Sequence, residues 1–404
     1  MTSNQSLPLS DMTLGIDMIA AADQVVRPSS TGSGQPAVHF VTGHDAVVGL
    51  GPRLAEFGAR CGQPGAMQDI AYFLSKPGVL SRIPHVLLVS KTADLNPRDP
   101  DLGELLGALL IFEQRVSVFR AGAFATNDRS GRSTLVALPS HLSEVATLTS
   151  RALLERRAHL ILISFRASEA PGSSPGSDLP LLTVPARGKG VARWALRERA
   201  VPSYLPLLGT FDATLAKIGQ RTRSNLRYYR RRAESRLGCV FVPQAEVSRE
   251  ELLAFNLECT YAKPAEVAGW LYDSLKDLSE PVFMGVRHGD GRWLSLLGGR
   301  RYDDRTEILW QMNREGFAEH SLSTVMRAYF IEHEIARGSR RLYIEGGTPQ
   351  PIKFSFVKEK VIDFVVVRRT PAAKLMWMIA QRFVSSENEL LHVLGADGLE
   401  WLRC

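Results

Sequence analysis

The sequence predicts an α/β protein in which one arrangement of elements occurs twice. A strand–helix–strand pattern can be traced in each half, and its closing strands, His159–Phe165 and Arg341–Gly347, begin about 180 residues apart. A segment rich in proline, glycine and serine, 168–181, lies between the two copies and is typical of a linker. Sequence identity between the copies is negligible, so the order of elements alone predicts a duplicated fold.

Apolar periodicity defines the elements of the first half, a predicted domain over 37–167 that follows a loose arm, 1–36. It predicts two helices and two strands: Ala46–Cys61, Met67–Ser75, His85–Lys91, and part of Leu105–Phe124, where QRVSVFRAG alternates as a strand does. The first triplet comprises the strand Ser133–Pro139, a helix for which Ser140 is a plausible N-cap, and the strand His159–Phe165.

The second half is a predicted domain over 182–370, followed by an amphipathic helical tail, 371–404. Its triplet comprises the strand Thr306–Met312, the helix Leu322–Gly338 and the strand Arg341–Gly347, which ends in a glycine pair. A further strand is predicted over Lys360–Arg369.

Composition limits the class of protein. The 404 residues carry a net charge of +7 and are 45% hydrophobic, and no run of eighteen apolar residues predicts a membrane-spanning helix. Asp11 and Asp17 interrupt the apolar part of the N-terminus, which lacks the basic start of a secretory signal. We therefore expect a cytoplasmic protein. The scattered cysteines form no Cys-x-x-Cys pair and predict neither disulfides nor a metal site: Cys61, Cys239, Cys259 and Cys404.

The segment Arg221–Arg236, RTRSNLRYYRRRAESR, carries +6, so the rest of the chain is close to neutral. On a helix its apolar residues and those just before it form one stripe: Leu215, Ile218, Thr222, Leu226, Tyr229, Ala233 and Leu237. Three interpretations remain open for the arginines. They form a solvated helix face, or Arg223 and Arg227 line a cleft for an anionic substrate, or the segment binds nucleic acid.

Polar residues at strand and helix ends are the candidates for chemistry. Glu345, beside Gly346 and Gly347, is a candidate general base, and Lys353 could stabilise an oxyanion or bind an anion. The alternative is a turn with surface charges.

On the strand Thr306–Met312, alternation predicts that Glu307, Leu309 and Gln311 share one face and Ile308, Trp310 and Met312 the other. Glu307 is then a candidate catalytic residue and Gln311 a candidate acceptor contact. Arg300, Tyr302 and His320 are expected near the same cleft. The phosphate of a co-substrate is expected at the next helix N-terminus, held by four residues: Asn313, Ser321, Ser323 and Thr324.

Three stretches carry a resemblance to a known family: RTRSNLRYYRRRAE, ILWQMNREGFAEHSLSTVMRAYFIEHEIARG and LYIEGGTPQPIKFSF. Through them the region Tyr204–Thr370 resembles the GNAT-like acetyltransferases of bacterial polysaccharide biosynthesis operons and, more distantly, the Fem-type peptidyltransferases. The resemblance implies two tandem GNAT-like domains, each a twisted mixed sheet flanked by helices. By a loose match to the Fem-type enzymes, it also implies a functional role for Lys353.

The activity that the resemblance implies is N-acyl transfer. An acyl group would pass from acyl-CoA or acetyl-CoA to an amine, such as an amino sugar or another polar amine, by direct attack and without a metal. The Q/R-x-x-G-x-G/A loop of simple GNAT enzymes is missing from both candidate loops, LPSHLSEV and NREGFAEHSLST. Two alternatives therefore stay open: aminoacyl or peptidyl transfer from a charged tRNA, and a non-catalytic binding protein.

Overall fold

The structure is a computed structural model that describes residues 25–26, 35–63, 65, 67–75, 82–116, 119–126, 135–156, 158–166, 192–344, 351–368 and 371. The predicted linker, 168–181, lies outside the described residues, as do most of the predicted arm and all but residue 371 of the predicted tail.

The described residues form fourteen strands and eight α-helices. The strands are β1 Val25–Val26, β2 Ala37–Thr42, β3 Ile83–Ser90, β4 Leu105–Val116, β5 Phe119–Ala125, β6 Leu135–Ala137, β7 Leu160–Arg166, β8 Ala192–Pro206, β9 Val240–Val242, β10 Pro281–Arg287, β11 Trp293–Tyr302, β12 Arg305–Asn313, β13 Arg341–Ile344 and β14 Val357–Arg368. The helices are α1 His44–Arg60, α2 Ile70–Ser75, α3 Leu142–Glu155, α4 Phe211–Ala216, α5 Gln220–Leu237, α6 Arg249–Leu257, α7 Ala265–Asp273 and α8 Leu322–Ala336.

The described strands form one mixed sheet that runs through both halves. Its order is β1-β2-β3-β4-β5-β7-β14-β8-β13-β12-β11-β10-β9, with β6 beside β4. Most neighbours are antiparallel, whereas β5–β7 and β12–β13 are parallel and are joined through α3 and α8. The predicted α/β class, with a mixed sheet flanked by helices, is confirmed. Because β14 lies between β7 and β8, the halves share their central strands, and the domain boundaries stay a prediction.

Two local predictions were wrong. The segment QRVSVFRAG is not one strand, because β4 ends at Val116 and β5 returns antiparallel from Phe119, with those two residues paired. Ser140 does not cap α3. It lies in a short 3-10 helix, Pro139–His141, and His141 takes the N-cap position without a side-chain hydrogen bond.

Apolar side chains cover both faces of the sheet in each half. In the second half one core contains Ile308, Leu297 and the inner side of α8, together with Leu226 and Ala233 from the predicted stripe of α5. The core on the other face packs α6 and α7 against β11 and β12. No helix in the described ranges has both the length and the hydropathy needed to cross a membrane.

Candidate functional site

Among the described residues, the parallel strands β12 and β13 pair along the first part of β12, Arg305–Ile308. β12 continues to Asn313 and pairs along this whole length with β11. Because α8 follows the carboxyl end of β12, its first turn lies at this same end of the sheet.

A β-bulge decides which side chains of β12 face α8. On β11 Gly298 pairs with Trp310 and Gly299 pairs with Ile308, so Leu309 is the extra residue. As a result Ile308 packs in the core under α8, whereas Leu309 and Trp310 both pack on the α6–α7 side. The predicted alternation through Thr306–Met312 was therefore wrong.

Beyond the bulge, three polar side chains lie on the α5–α8 side of the sheet, beside Leu297. Gln311 Nε2 donates to Asn313 Oδ1 at 3.0 Å and to Ser295 Oγ at 3.3 Å. Ser295 Oγ lies 2.9 Å from Asn313 Oδ1. Ser295 is fully buried, whereas Gln311 and Asn313 are half-buried. We call these three residues the amide cluster.

The start of α8 offers unpaired amides. Ser321 has a φ of 47°, and its carbonyl accepts from the amides of Thr324 and Val325, at 2.7 and 3.1 Å. Ser321 Oγ lies 2.8 Å from Thr324 Oγ1. The amides of the first two helical residues, Leu322 and Ser323, have no acceptor within the helix and are available to an anion.

Two cations of this half, Arg327 and Lys353, lie close enough for their charges to interact. Arg327, in the second turn of α8, makes no hydrogen bond or ion pair with the described part of the chain, and its Nε atom is sealed from solvent. Helical side chains lean toward the amino end, which directs Arg327 over the first turn. Burial lowers the pKa of Arg327 to about 10. Burial first, and then the charge of Arg327, lower the pKa of the half-buried Lys353.

The corresponding helix of the first half begins differently. Glu144 lies in the first turn of α3, where its Oε2 is 2.8 Å from His141 Nδ1. The first turn of α8 contains no acidic residue. A carboxylate at a helix N-terminus occupies the place that an anionic ligand would take, so the start of α8 is the better anion site.

Glu307, Arg300 and Tyr302 lie on the opposite face of the sheet. Arg300 is fully buried, donates to Glu307 Oε2 at 3.1 Å, pairs with Asp69 and stacks against the rings of Phe73 and Tyr302. These side chains join α2 and the loop before it to β11 and β12. The structure therefore does not bring Glu307 or Tyr302 together with Gln311.

His320 ends the loop before α8 and is buried. Its Nε2 lies 3.1 Å from Glu319 Oε1, and Glu319 Oε2 accepts from Arg232 on α5 at 3.2 Å. The Nδ1 atom of His320 is sealed from solvent and has no hydrogen-bond partner among the described residues.

The arginines of α5 divide into two groups. Arg227 pairs with Asp212 at 2.6 Å, Arg230 with Glu332 at 2.6 Å and Glu234 at 2.9 Å, and Arg232 with Glu319. The other four have no ion pair within the described ranges: Arg221, Arg223, Arg231 and Arg236. Three of these four are exposed, whereas Arg223 is half-buried.

Sequence reasoning missed Arg327 and Ser295. The sequence contains one feature that could have indicated Arg327: it is a lone cation in the apolar start of a predicted helix, LSTVMRAYF. No feature of the sequence indicates Ser295, because its role depends on a partner strand. Glu345, the predicted base, lies outside the described residues.

No family model matches the sequence, and no curated protein matches it. Solved structures are similar to the chain at low identity. FemX is 12% identical over 79% of this chain and 94% of its own, with a TM-score of 0.44. A tandem GNAT protein from the clavulanic acid biosynthesis pathway is 12% identical over 83% of this chain and 99% of its own, with a TM-score of 0.40.

A third similar structure is the C-terminal domain of a putative lysylphosphatidylglycerol synthetase from Agrobacterium fabrum. It is 12% identical over 85% of this chain and 98% of its own, with a TM-score of 0.44. These structures include GNAT-like and Fem-type proteins, the two groups that the sequence resembles. Likenesses this distant carry no conclusion about the reaction or the substrate of this chain.

Proposed function

We propose that this protein transfers an acyl group from a CoA thioester to an amine, in a cleft of the second half between β12, the start of α8 and Lys353. The observation that carries the proposal is Arg327, a half-buried guanidinium that has no acidic partner among the described residues and that belongs to the helix whose start offers two available amides. A buried cation normally has a counter-charge. A phosphate group of the donor would supply it.

The chemistry would follow from the same geometry. With the donor phosphates held by Arg327, Lys353 and the α8 amides, the thioester would lie along β12 beyond the bulge. The amine nitrogen attacks the carbonyl carbon, the carbonyl oxygen takes the negative charge, and the carbon–sulfur bond then breaks to release the thiolate. A helix start and two cations favour the anionic donor in both its bound and its released form.

The proposal is tested by CoA binding, measured by calorimetry at low and moderate salt. Hydrogen bonds from a guanidinium to a phosphate contribute about 1.5–3 kcal/mol, so we expect Arg327→Gln to weaken CoA binding by at least about tenfold. The matched control is Arg151→Gln on α3, where the arginine pairs with Glu155 on the surface. The control variant should bind CoA as the wild type does.

Two results would count against the proposal: no binding of CoA to the wild type, or equal binding by Arg327→Gln. Where CoA binds, release of free thiol from acetyl-CoA with a panel of amines and amino sugars identifies the acceptor.

The proton of the attacking amine needs an acceptor, and we propose Glu345 or a water molecule that it orients. Glu345→Gln should then lower the rate of acyl transfer and leave CoA affinity unchanged, because a general base contributes about 10²–10⁴-fold to rate and little to donor binding. A variant as fast as the wild type removes Glu345 from the mechanism.

A second candidate function is transfer from a charged tRNA. The observation that favours it is the set of four arginines on α5 that form no ion pair with the described residues, three of them exposed. Binding of tRNA should weaken steeply with salt and should fall for Arg231→Gln, whereas Arg327→Gln should affect CoA rather than tRNA. Failure of tRNA to bind the wild type at low salt would exclude this candidate.

A further inference from the structure

We infer that the amide cluster, Ser295, Gln311 and Asn313, is a binding subsite for a secondary amide group. The inference rests on the proposed function in one respect, because it assumes that the ligand binds in the cleft proposed there. The cluster was not expected as a unit, because Ser295 comes from β11 and the other two residues from β12. It lies on the sheet face toward α8, beyond the bulge at Leu309.

The internal bonds of the cluster fix the orientation of both amides. Gln311 Nε2 is used twice, toward Asn313 Oδ1 and toward Ser295 Oγ, and Ser295 is immobilised by complete burial. Gln311 Oε1 and Asn313 Nδ2 are left without a partner among the described residues. Both side chains are half-buried, so these two atoms can meet a ligand.

These two atoms are one acceptor and one donor, on two side chains that are joined by a hydrogen bond. A secondary amide presents the complementary pair, an N–H donor and a carbonyl acceptor. The complementarity does not depend on which way the two amides are assigned. If both were rotated, Gln311 would present the donor and Asn313 the acceptor, and the pair would still match a secondary amide.

Two ligands could bring such a group to the cleft. The arm that joins the thiol of CoA to its nucleotide contains secondary amides, and an acceptor that carries an N-acetyl group beside its free amine contains one as well. A free primary amine lacks the carbonyl and would satisfy only half of the subsite. The subsite therefore discriminates between ligands with and without the amide.

The experiment compares four probes on four proteins by calorimetry. The probes are CoA, ADP, which lacks the amide arm, N-acetylglucosamine and glucosamine. The proteins are the wild type, Gln311→Met, Asn313→Leu and, as matched control, Asn225→Leu on the exposed side of α5. The site variants remove hydrogen bonds without adding charge or much volume, and their folding is checked by circular dichroism.

If the donor arm occupies the subsite, each site variant binds CoA about threefold to tenfold more weakly, and ADP affinity changes less than about twofold. If the acceptor occupies it, CoA affinity is unchanged and the preference for N-acetylglucosamine over glucosamine is lost. Unchanged affinity for every probe overturns the inference. Failure of CoA and ADP to bind the wild type overturns the proposed function instead, and the sugar pair then decides the subsite on its own.

Discussion

At the scale of single residues, Glu334 shows how a buried charge is accommodated in this fold. Its side chain is fully buried on α8 and accepts hydrogen bonds from Arg301 at 2.7 Å, Thr306 at 2.6 Å and Ser339 at 3.0 Å. Burial alone would raise the pKa of Glu334, but the bonds from Arg301 and Thr306 outweigh it and the pKa is lowered. The site ties α8 to the two strands beneath it.

We expect Glu334→Gln to lower the free energy of unfolding by about 2–4 kcal/mol at neutral pH, because it leaves the Arg301 charge partly unpaired. The folded pKa of Glu334 lies below its unfolded value of 4.5. Its contribution is therefore complete above that value and is lost as the pH falls through the folded pKa. The difference between wild type and variant, measured by urea unfolding, should shrink in acid.

The matched control for Glu334 is Glu332→Gln on the same helix. Glu332 is half-exposed and pairs with Arg230 at 2.6 Å. Glu332→Gln should therefore lower the free energy of unfolding by at most about 1 kcal/mol at every pH. Equal costs for the two variants would mean that burial of Glu334 does not determine its contribution.

At the scale of elements, the bulge between β11 and β12 depends on glycine. A Cβ atom added to Gly299 would lie 2.2 Å from the carbonyl oxygen of Glu307, and one added to Gly298 would lie 2.1 Å from the ring of Trp310. The backbones of the two strands can approach each other only because both positions lack side chains. The bulge directs Gln311 and Asn313 toward α8.

Gly299→Ala should lower the free energy of unfolding by about 1–3 kcal/mol, because a backbone atom cannot move away as a flexible side chain can. It should also weaken CoA binding, because the strand that carries the amide cluster must shift. Unfolding and calorimetry measure the two effects on one preparation.

The matched control for Gly299 is Gly49→Ala in α1, where an added Cβ atom meets nothing within 4 Å. Alanine in a helix interior is more favourable than glycine, so the free energy of unfolding of this variant should rise by about 0.5–1 kcal/mol. A Gly299→Ala protein as stable as the wild type would show that the strands tolerate wider spacing.

At the scale of the whole molecule, the halves are joined by the shared sheet and by a buried charge cluster. Asp69 in the first half pairs with Arg300 in the second and accepts hydrogen bonds from the amide and the hydroxyl of Ser279, at 2.8 and 2.7 Å. Nearby, Trp270 Nε1 donates to Ser75 Oγ at 3.1 Å. These contacts lie on the face of the sheet opposite the proposed cleft.

Asp69→Ala should lower the free energy of unfolding by about 3–5 kcal/mol, because it leaves Arg300 buried with only part of its counter-charge. Since the sheet is continuous, we expect a single unfolding transition for the wild type by fluorescence and circular dichroism. The control for Asp69→Ala is Asp212→Ala, which removes an exposed partner of Arg227. It should lower the free energy of unfolding by less than about 1 kcal/mol. Two separate transitions in the wild type would contradict the coupling of the halves.

Local patterns allowed much of the fold to be predicted. Helices α1 and α8 and strands β3, β7, β12 and β14 lie close to their predicted ranges. The long strand β8 was not predicted, because charged residues and Pro202 obscure its alternation. For the site, the sequence indicated Gln311, Asn313 and the start of α8. It did not indicate that Arg327 and Lys353 lie together.

The sequence by itself determined the α/β class, the repeated order of elements and the buried side of α5, on which Leu226 and Ala233 lie. These features depend on periodicity over a few neighbouring residues, and that periodicity is visible in the chain. Only the tertiary structure decided that Glu307 faces away from α8 and that Arg327 meets no acidic partner in the part of the chain that the structure describes. Both depend on residues distant in sequence: the glycines of β11 at the bulge, and the side chains packed around α8.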